Sequence, residues 1–303
     1  MIDYTALTNE TNKEGVIIMN IVSSTPLLEE ARQKGYGVVA INCDTLEMIQ
    51  AVIEAADECE APVIVQTTAS AIKYLGMNYI VSAIKTAMGQ VKVPVALHLD
   101  HGQDHQLILE CIRAGYSSVM IDASMYEFDE NVRRTKAVAQ VARAMNINVE
   151  AELGKVGGVE DDIVVDEADS VLADPDECAK FVELTDITSL APAIGTAHGI
   201  YKAEPNIDFA RIEQIASKVK VPLVLHGGSG IPEHQLKKCV ALGMSKINVG
   251  TEIKHTYANT MKQYIGENPK VDDARKYLSE ARTALKNLVK EKMELVGSVG
   301  RVR

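Results

Sequence analysis

The stretch PVALHLDHG, residues 94–102, is an apolar run that closes on Asp100, His101 and Gly102, and it reads as a buried strand with chemistry at its downstream end. Two further stretches follow the same plan: SLAPAIGTAHG at 189–199, which reaches His198, and VPLVLHGGSG at 221–230, which reaches His226. A fold that gathers these strand ends around one mouth places three imidazoles within reach of one ion. Three protein ligands and an open position describe a catalytic zinc site. A lone histidine on an apolar run is more often a satisfied core residue, but here three recur, each beside a glycine (Gly102, Gly199, Gly227) that lets the backbone approach closely.

Working outward, similar runs recur at Tyr36–Asn42, Pro62–Thr67, Ser118–Asp122, Asn148–Leu153 and Lys246–Val249, which makes eight with Pro94–Leu99, Ser189–Gly195 and Pro222–His226. Parallel strands buried on both faces look like this. Amphipathic stretches of helical spacing separate most of them, at Leu46–Cys59, Gln106–Ala114, Glu130–Met145, Asp176–Leu184, Phe209–Val219 and Glu233–Leu242. Eight βα units predict an α/β fold, a (β/α)8 TIM barrel, with an N-terminal helix at Thr25–Lys34 and extra C-terminal helices. A doubly wound open sheet is the structural alternative. Residues 1–18 are polar and aperiodic and read as a flexible leader ahead of a single barrel domain over 19–303.

The composition agrees with a globular enzyme: of 303 residues, 47% are hydrophobic and 24% charged, enough for a large core. A net charge of −11 argues against nucleic acid, whose phosphates are held by clustered Lys and Arg. The five cysteines are scattered and without a CxxC spacing, as expected of reduced thiols in the cytoplasm. No apolar stretch reaches the roughly 18 residues needed to span a bilayer, so no membrane partner is expected.

In a barrel, function gathers at the C-terminal ends of the strands. Those ends carry Asn42, Thr68, Asp100 with His101, Asp122, Glu152, His198, His226 and Asn248. Asp100 and His101 are consecutive and would face opposite ways on a regular strand; a turn at the strand end lets both reach the site, one as proton carrier and one as ligand. HGGSG (His226–Gly230) and NVGT (Asn248–Thr251) open helices after the last two strands, where barrels commonly bind phosphate on backbone N–H groups. Either glycine run alone is equally a tight turn. VEAELGKVGGVEDD (149–162) reads as a strand running into a long acidic loop, a candidate lid in which Glu160 is either a mobile proton carrier or part of a solvated turn.

Taken together, HLDHG, SVMIDAS, VEAELGKVGGVEDD, GTAHGIY, LVLHGGSGIP and KINVGTE resemble the class II, zinc-dependent ketose-bisphosphate aldolases, from about Ser23 to Arg301. The resemblance implies reversible cleavage of a ketose 1,6-bisphosphate into dihydroxyacetone phosphate and glyceraldehyde 3-phosphate through a zinc-stabilised enediolate. It implies zinc on His101, His198 and His226, with Glu152 near an alternative metal position and Asp122 close by. Asp100 and Glu160 would be the catalytic acid/base pair. Gly199, Gly227, Gly228, Ser229, Asn248 and Thr251 match a phosphate pocket with an associated Na+ or K+ ion, and Asn42 and Thr68 match polar substrate contacts. Arg275 matches an arginine that reaches the second phosphate from a neighbouring subunit, which implies a homodimer or homotetramer.

Within that family, GTAHG followed by Ile-Tyr, and the insert DDIVVDEADS, look more like tagatose-1,6-bisphosphate aldolases than fructose-1,6-bisphosphate ones. Met125, Tyr126 and Glu127 depart from a usual His-His-Pro, Ala274 replaces a proline, and Gly250 stands where many fructose enzymes carry Asp or Asn. Two other classes compete: a barrel metallohydrolase, which the glycine loops and Arg275 disfavour, and a non-catalytic sugar-phosphate-binding subunit, which should lack metal ligands. A Schiff-base mechanism needs a lysine at a strand end, and Lys246 instead begins a strand.

Overall fold

The structure, a computed structural model, describes residues 9–11, 17–19, 21–160, 163–165, 170–201 and 203–302. A short antiparallel pair, β1 (Asn9–Thr11) with β2 (Ile17–Met19), lies in the stretch expected as a leader and runs one residue past it; the rest of 1–18 falls outside the described residues. Eight parallel strands then close into a barrel: β3 (Val38–Asn42), β4 (Val63–Thr67), β5 (Val95–Gly102), β6 (Ser118–Ile121), β7 (Asn148–Leu153), β10 (Ser189–Pro192), β12 (Leu223–Leu225) and β13 (Met244–Val249). The intervening β8 (Gly157–Glu160), β9 (Ile163–Val165) and β11 (Ala197–His198) form a separate small sheet. β13 pairs with β3, and β10 joins β7 to β12, so closure excludes the open sheet.

Helix α1 (Ser24–Lys34), capped by Ser23 and ended by Gly35 in the left-handed region, precedes the first barrel strand. Its Leu27 and Leu28 are fully buried against Ala40, Ile64 and Ala96 and plug the bottom of the barrel. The outer ring is α2 (Leu46–Glu58), α3 (Ala69–Leu75), α4 (Met77–Met88), α5 (His105–Ala114), α6 (Phe128–Ala144), α7 (Pro175–Thr185), α8 (Phe209–Lys218), α9 (Glu233–Ala241), α10 (Thr251–Glu267) and α11 (Ala274–Leu295). The sequence pattern gives no helix between the second and third barrel strands, yet α3 and α4 stand there. The apolar spacing is present, since Ile80, Val81, Ile84 and Met88 form the buried face of α4, but Gly76, φ 86°, splits the stretch into two short helices.

The strands are buried on both faces, and the two faces differ in kind. Val39, Ile41, Val63, Val65, Val95, Leu97 and Leu99 point outward into the core under the helices. Of the alternate residues, Val38, Ala40, Ile64 and Ala96 form the apolar layer over α1. Asn42, Gln66, His98, Asp100, Ser118, Asn148, Glu150, Glu152 and Lys246 are buried and polar, and they line the rest of the barrel axis. No helix among the described residues is long and apolar enough to cross a membrane.

The expected acidic loop after β7 is ordered differently. β8 and β9 form an antiparallel hairpin, and β11 joins β8 in parallel, giving the three-stranded sheet above the barrel. His198 therefore comes not from the end of a barrel strand, since β10 stops at Pro192, but from this sheet, where it lies opposite Gly158.

Candidate metal centre

His101, His198 and His226 converge as their spacing along the chain suggested. One ring nitrogen from each lies within 4.8 Å of the others, and the ring centroids are 4.7–5.7 Å apart. His101 reaches the centre because its own φ is 47°, a left-handed turn that costs a non-glycine residue about 1–3 kcal/mol. That turn swings both Asp100 and His101 into the mouth. It coincides with a register break between Leu99 and Gly102 on β5, and a Cβ on Gly102 would sit 2.5 Å from the Met120 carbonyl oxygen.

The outward-facing nitrogens of two rings are held by carboxylates. His101 Nδ1 donates to Asp122 Oδ2 at 2.8 Å, and His226 Nε2 donates to Glu150 Oε1 at 2.9 Å. With protons at those positions, neutral His101 Nε2 and His226 Nδ1 turn lone pairs toward each other at 2.9 Å. Such an arrangement is stable around a positive charge, and carboxylate–histidine pairs of this kind orient metal ligands. Glu152 adds a buried carboxylate oxygen, Oε2, with no hydrogen-bond donor among the described residues, 4.0 Å from His226 Nδ1. The donor set thus fits a divalent ion, and His101, Asp122 and Glu152 form a second, overlapping cluster of possible ligands.

The surrounding electrostatics follow from burial. Desolvation, then the nearby Asp122 charge, push Glu152 up to about 8. Burial also works against Asp122 and Glu150, but it is outweighed: bonds from His101 and Ser124 hold Asp122 well below the usual carboxylate range, and Lys246, His98 and His226 do the same for Glu150. Burial keeps His226 below its ordinary value despite its bond to Glu150.

Asp100, wholly buried, is gripped by three amides. Asn42 Nδ2 donates at 2.8 Å and Gln66 Nε2 at 3.2 Å to its Oδ2, and Asn248 Nδ2 donates at 3.3 Å to its Oδ1. Asn42, expected as a substrate contact, and Asn248, expected at the phosphate, each direct an amide N–H to this carboxylate. Thr68 caps α3 through Ala71 N, as a strand-end threonine commonly does.

The glycine loops are more self-bonded than their sequence suggests. Gly228 N donates to Asn248 O at 3.0 Å, tying the loop to β13, and Ser229 Oγ accepts from Glu252 N at 3.2 Å. Gly227 O accepts from Tyr201 Oη at 2.8 Å, and Thr251 opens α10. A cavity of about 480 Å3 beside the cluster is lined by Lys155, Gly158, Thr196, His198 and Tyr201, and Gly199 lines a neighbouring one. Glu160 ends β8, and its side chain lies outside the described residues. Arg275, on the first turn of α11, is exposed and bonded to Asp273. His105, His234 and His255 are exposed.

Sequence reading missed Glu150, Gln66 and Lys246. Their signal was present: Glu150 stands two residues before Glu152, and Gln66 and Lys246 interrupt otherwise apolar strands at inward positions of the two-residue period.

Residues 22–301 match the model of a family described as fructose-bisphosphate aldolase class-II. The chain is 41% identical over 304 residues to the "Fructose-bisphosphate aldolase" of Thermus caldophilus, covering 93% of this chain and 99% of that one. It is 44% identical over 283 residues to the "Probable fructose-bisphosphate aldolase" of Bacillus subtilis strain 168, covering 92% and 99%. The crystal structure of the YdjI aldolase from Escherichia coli K12 superposes with a TM-score of 0.82 at 33% identity, covering 92% of this chain and 98% of that one.

Proposed function

The chain belongs to the class II fructose-bisphosphate aldolase family, and on that premise we propose that it reversibly cleaves a ketose 1,6-bisphosphate into dihydroxyacetone phosphate and glyceraldehyde 3-phosphate. The observation that carries this reading is the pair of carboxylate-backed imidazoles whose facing nitrogens lie 2.9 Å apart beside a third histidine. Zinc held by His101, His198 and His226, with Glu152 as an alternative ligand, would supply a Lewis acid for the charge that collects on the carbonyl as the carbon–carbon bond breaks.

The protein's own groups do the rest. Asp100, oriented by its three amide donors, takes the C4 hydroxyl proton as the aldehyde leaves. Glu160 returns a proton to the three-carbon fragment that retains the electron pair. Gly199, Gly227, Gly228, Ser229 and Thr251, with a Na+ or K+ ion, hold one phosphate, and Lys155 on the cavity wall adds a positive charge suited to the same anion. Thr68 and Asn42 border the sugar. Arg275, exposed and bonded to Asp273 within its own chain, serves a neighbouring subunit's second phosphate, in a cytoplasmic homodimer or homotetramer.

The names of the relatives favour fructose 1,6-bisphosphate as substrate. GTAHG followed by Ile-Tyr and the insert DDIVVDEADS favour the tagatose epimer, while Gly250, where many fructose enzymes carry Asp or Asn, removes a polar contact to the sugar hydroxyls and leaves the stereospecificity open. Release of dihydroxyacetone phosphate from the two sugars, measured side by side with and without a strong chelator, tests both levels. Cleavage surviving in fully metal-free protein excludes the metal-assisted reaction, and the ratio of the two rates assigns the epimer.

A further inference from the structure

Below the histidine cluster the barrel axis holds a charged pair that the proposed chemistry does not use. Lys246 Nζ, 1% exposed, donates to Glu150 Oε2 at 2.7 Å and to His98 Nε2 at 3.2 Å. The network continues downward with consistent donors and acceptors: His98 Nδ1 donates to Ser118 Oγ at 2.6 Å, Ser118 Oγ donates to Asn148 Oδ1 at 3.1 Å, and Asn148 Nδ2 donates to Thr25 Oγ1 on α1 at 3.2 Å. Every link runs one way because Lys246 can only donate.

A buried carboxylate without a counter-charge is strongly unfavourable, and a buried ion pair rarely outperforms apolar packing for stability alone. Filling the axis with aliphatic side chains, as barrels commonly do, would have served the fold. The position of the pair is more telling: Lys246 occupies one carboxylate oxygen of Glu150 and leaves the other, Oε1, to accept from His226 Nε2. Accepting there places the proton on Nε2 and leaves Nδ1 as the lone pair aimed at the cluster.

We infer that Lys246 is a positioning residue which, through Glu150, fixes the orientation and tautomer of His226 and so presets the centre for its metal ion. The inference rests on the metal reading above. Without Lys246 the Glu150 carboxylate loses its charged anchor, and His226 can rotate or exchange its proton to Nδ1, which removes one of three ligands.

The test is zinc affinity, measured by competition with a chromogenic chelator on wild type, Lys246→Met and the isosteric Glu150→Gln, each first verified as folded by circular dichroism. The amide introduced by Glu150→Gln turns its N–H toward either Lys246 or His226, and either way one contact becomes repulsive, so this variant probes the same device without emptying space in the axis. We expect zinc affinity to fall roughly 10–100-fold in both, with excess zinc restoring turnover and the KM for sugar bisphosphate unchanged. Wild-type affinity in either folded variant overturns the inference while leaving the metal reading intact. Wild-type protein that binds no zinc overturns the metal reading, and this inference with it.

Discussion

Asp122 Oδ2 accepts a hydrogen bond from His101 Nδ1 at 2.8 Å, joining neighbouring barrel strands immediately beside the register break that turns His101 into the mouth. Asp122 is therefore placed to orient His101 as a proposed ligand, whereas the sequence suggested only an acid near the metal. Asp122→Asn keeps the size but substitutes an amide that can present its N–H₂ to the ring. Zinc affinity should fall roughly 10–100-fold, read by chelator competition; an unchanged affinity would assign Asp122 to packing alone.

Asp100 has a different role and should separate cleanly. Its carboxylate is held by the amides of Asn42, Gln66 and Asn248, none of which is a proposed metal ligand. Asp100→Ala should retain zinc at wild-type stoichiometry while turnover falls by about 10²–10⁴-fold or more. Near-normal turnover reassigns the proton step to another group.

Gly158 tests whether the small sheet above the barrel carries a ligand. Its φ is 100°, and a Cβ there would meet the His198 carbonyl oxygen at 2.1 Å. Gly158→Ala must push β11 away from β8 and carry His198 with it. The expected result is a loss of zinc affinity of roughly tenfold or more with little change in global unfolding, because the barrel strands are untouched. A wild-type zinc affinity would mean that the sheet yields without moving the ring.

The C-terminal helix supplies a pH prediction. Glu58 on α2 accepts from Lys286 at 2.7 Å and Lys290 at 2.9 Å on α11, and these bonds hold its carboxyl below the ordinary value against a slight opposing effect of burial. A carboxyl lowered in the folded state adds stability above its unfolded value, about 4.3, and that contribution disappears as pH falls through the folded value. Glu58→Gln should therefore unfold earlier than wild type at pH 7, with the two curves converging in acid. The pair is solvent-exposed, so molar salt should shrink the gap at pH 7 as well. A gap that persists at low pH would show that packing, not charge, is lost.

Much was legible in the chain by itself. Apolar runs at βα spacing specified the barrel, because a parallel strand must bury its outer face under a helix whatever lies inside, and that requirement is written locally in residues such as those of Val95–Leu99. The three histidines were legible for a similar reason: each lies at or within three residues of the end of such a run. Tertiary structure alone decided the rest. Above its apolar floor the barrel interior is polar, since Gln66, His98, Glu150 and Lys246 are tolerable there only when partners from distant strands satisfy them, and no local pattern records who those partners are. Likewise His198 sits on a sheet above the barrel, Asn42 and Asn248 serve Asp100, and Gly228 ties its loop to β13. Hydrogen bonds between groups far apart in the chain are chosen by closure of the cylinder, which brings strand ends together only after the whole chain has folded.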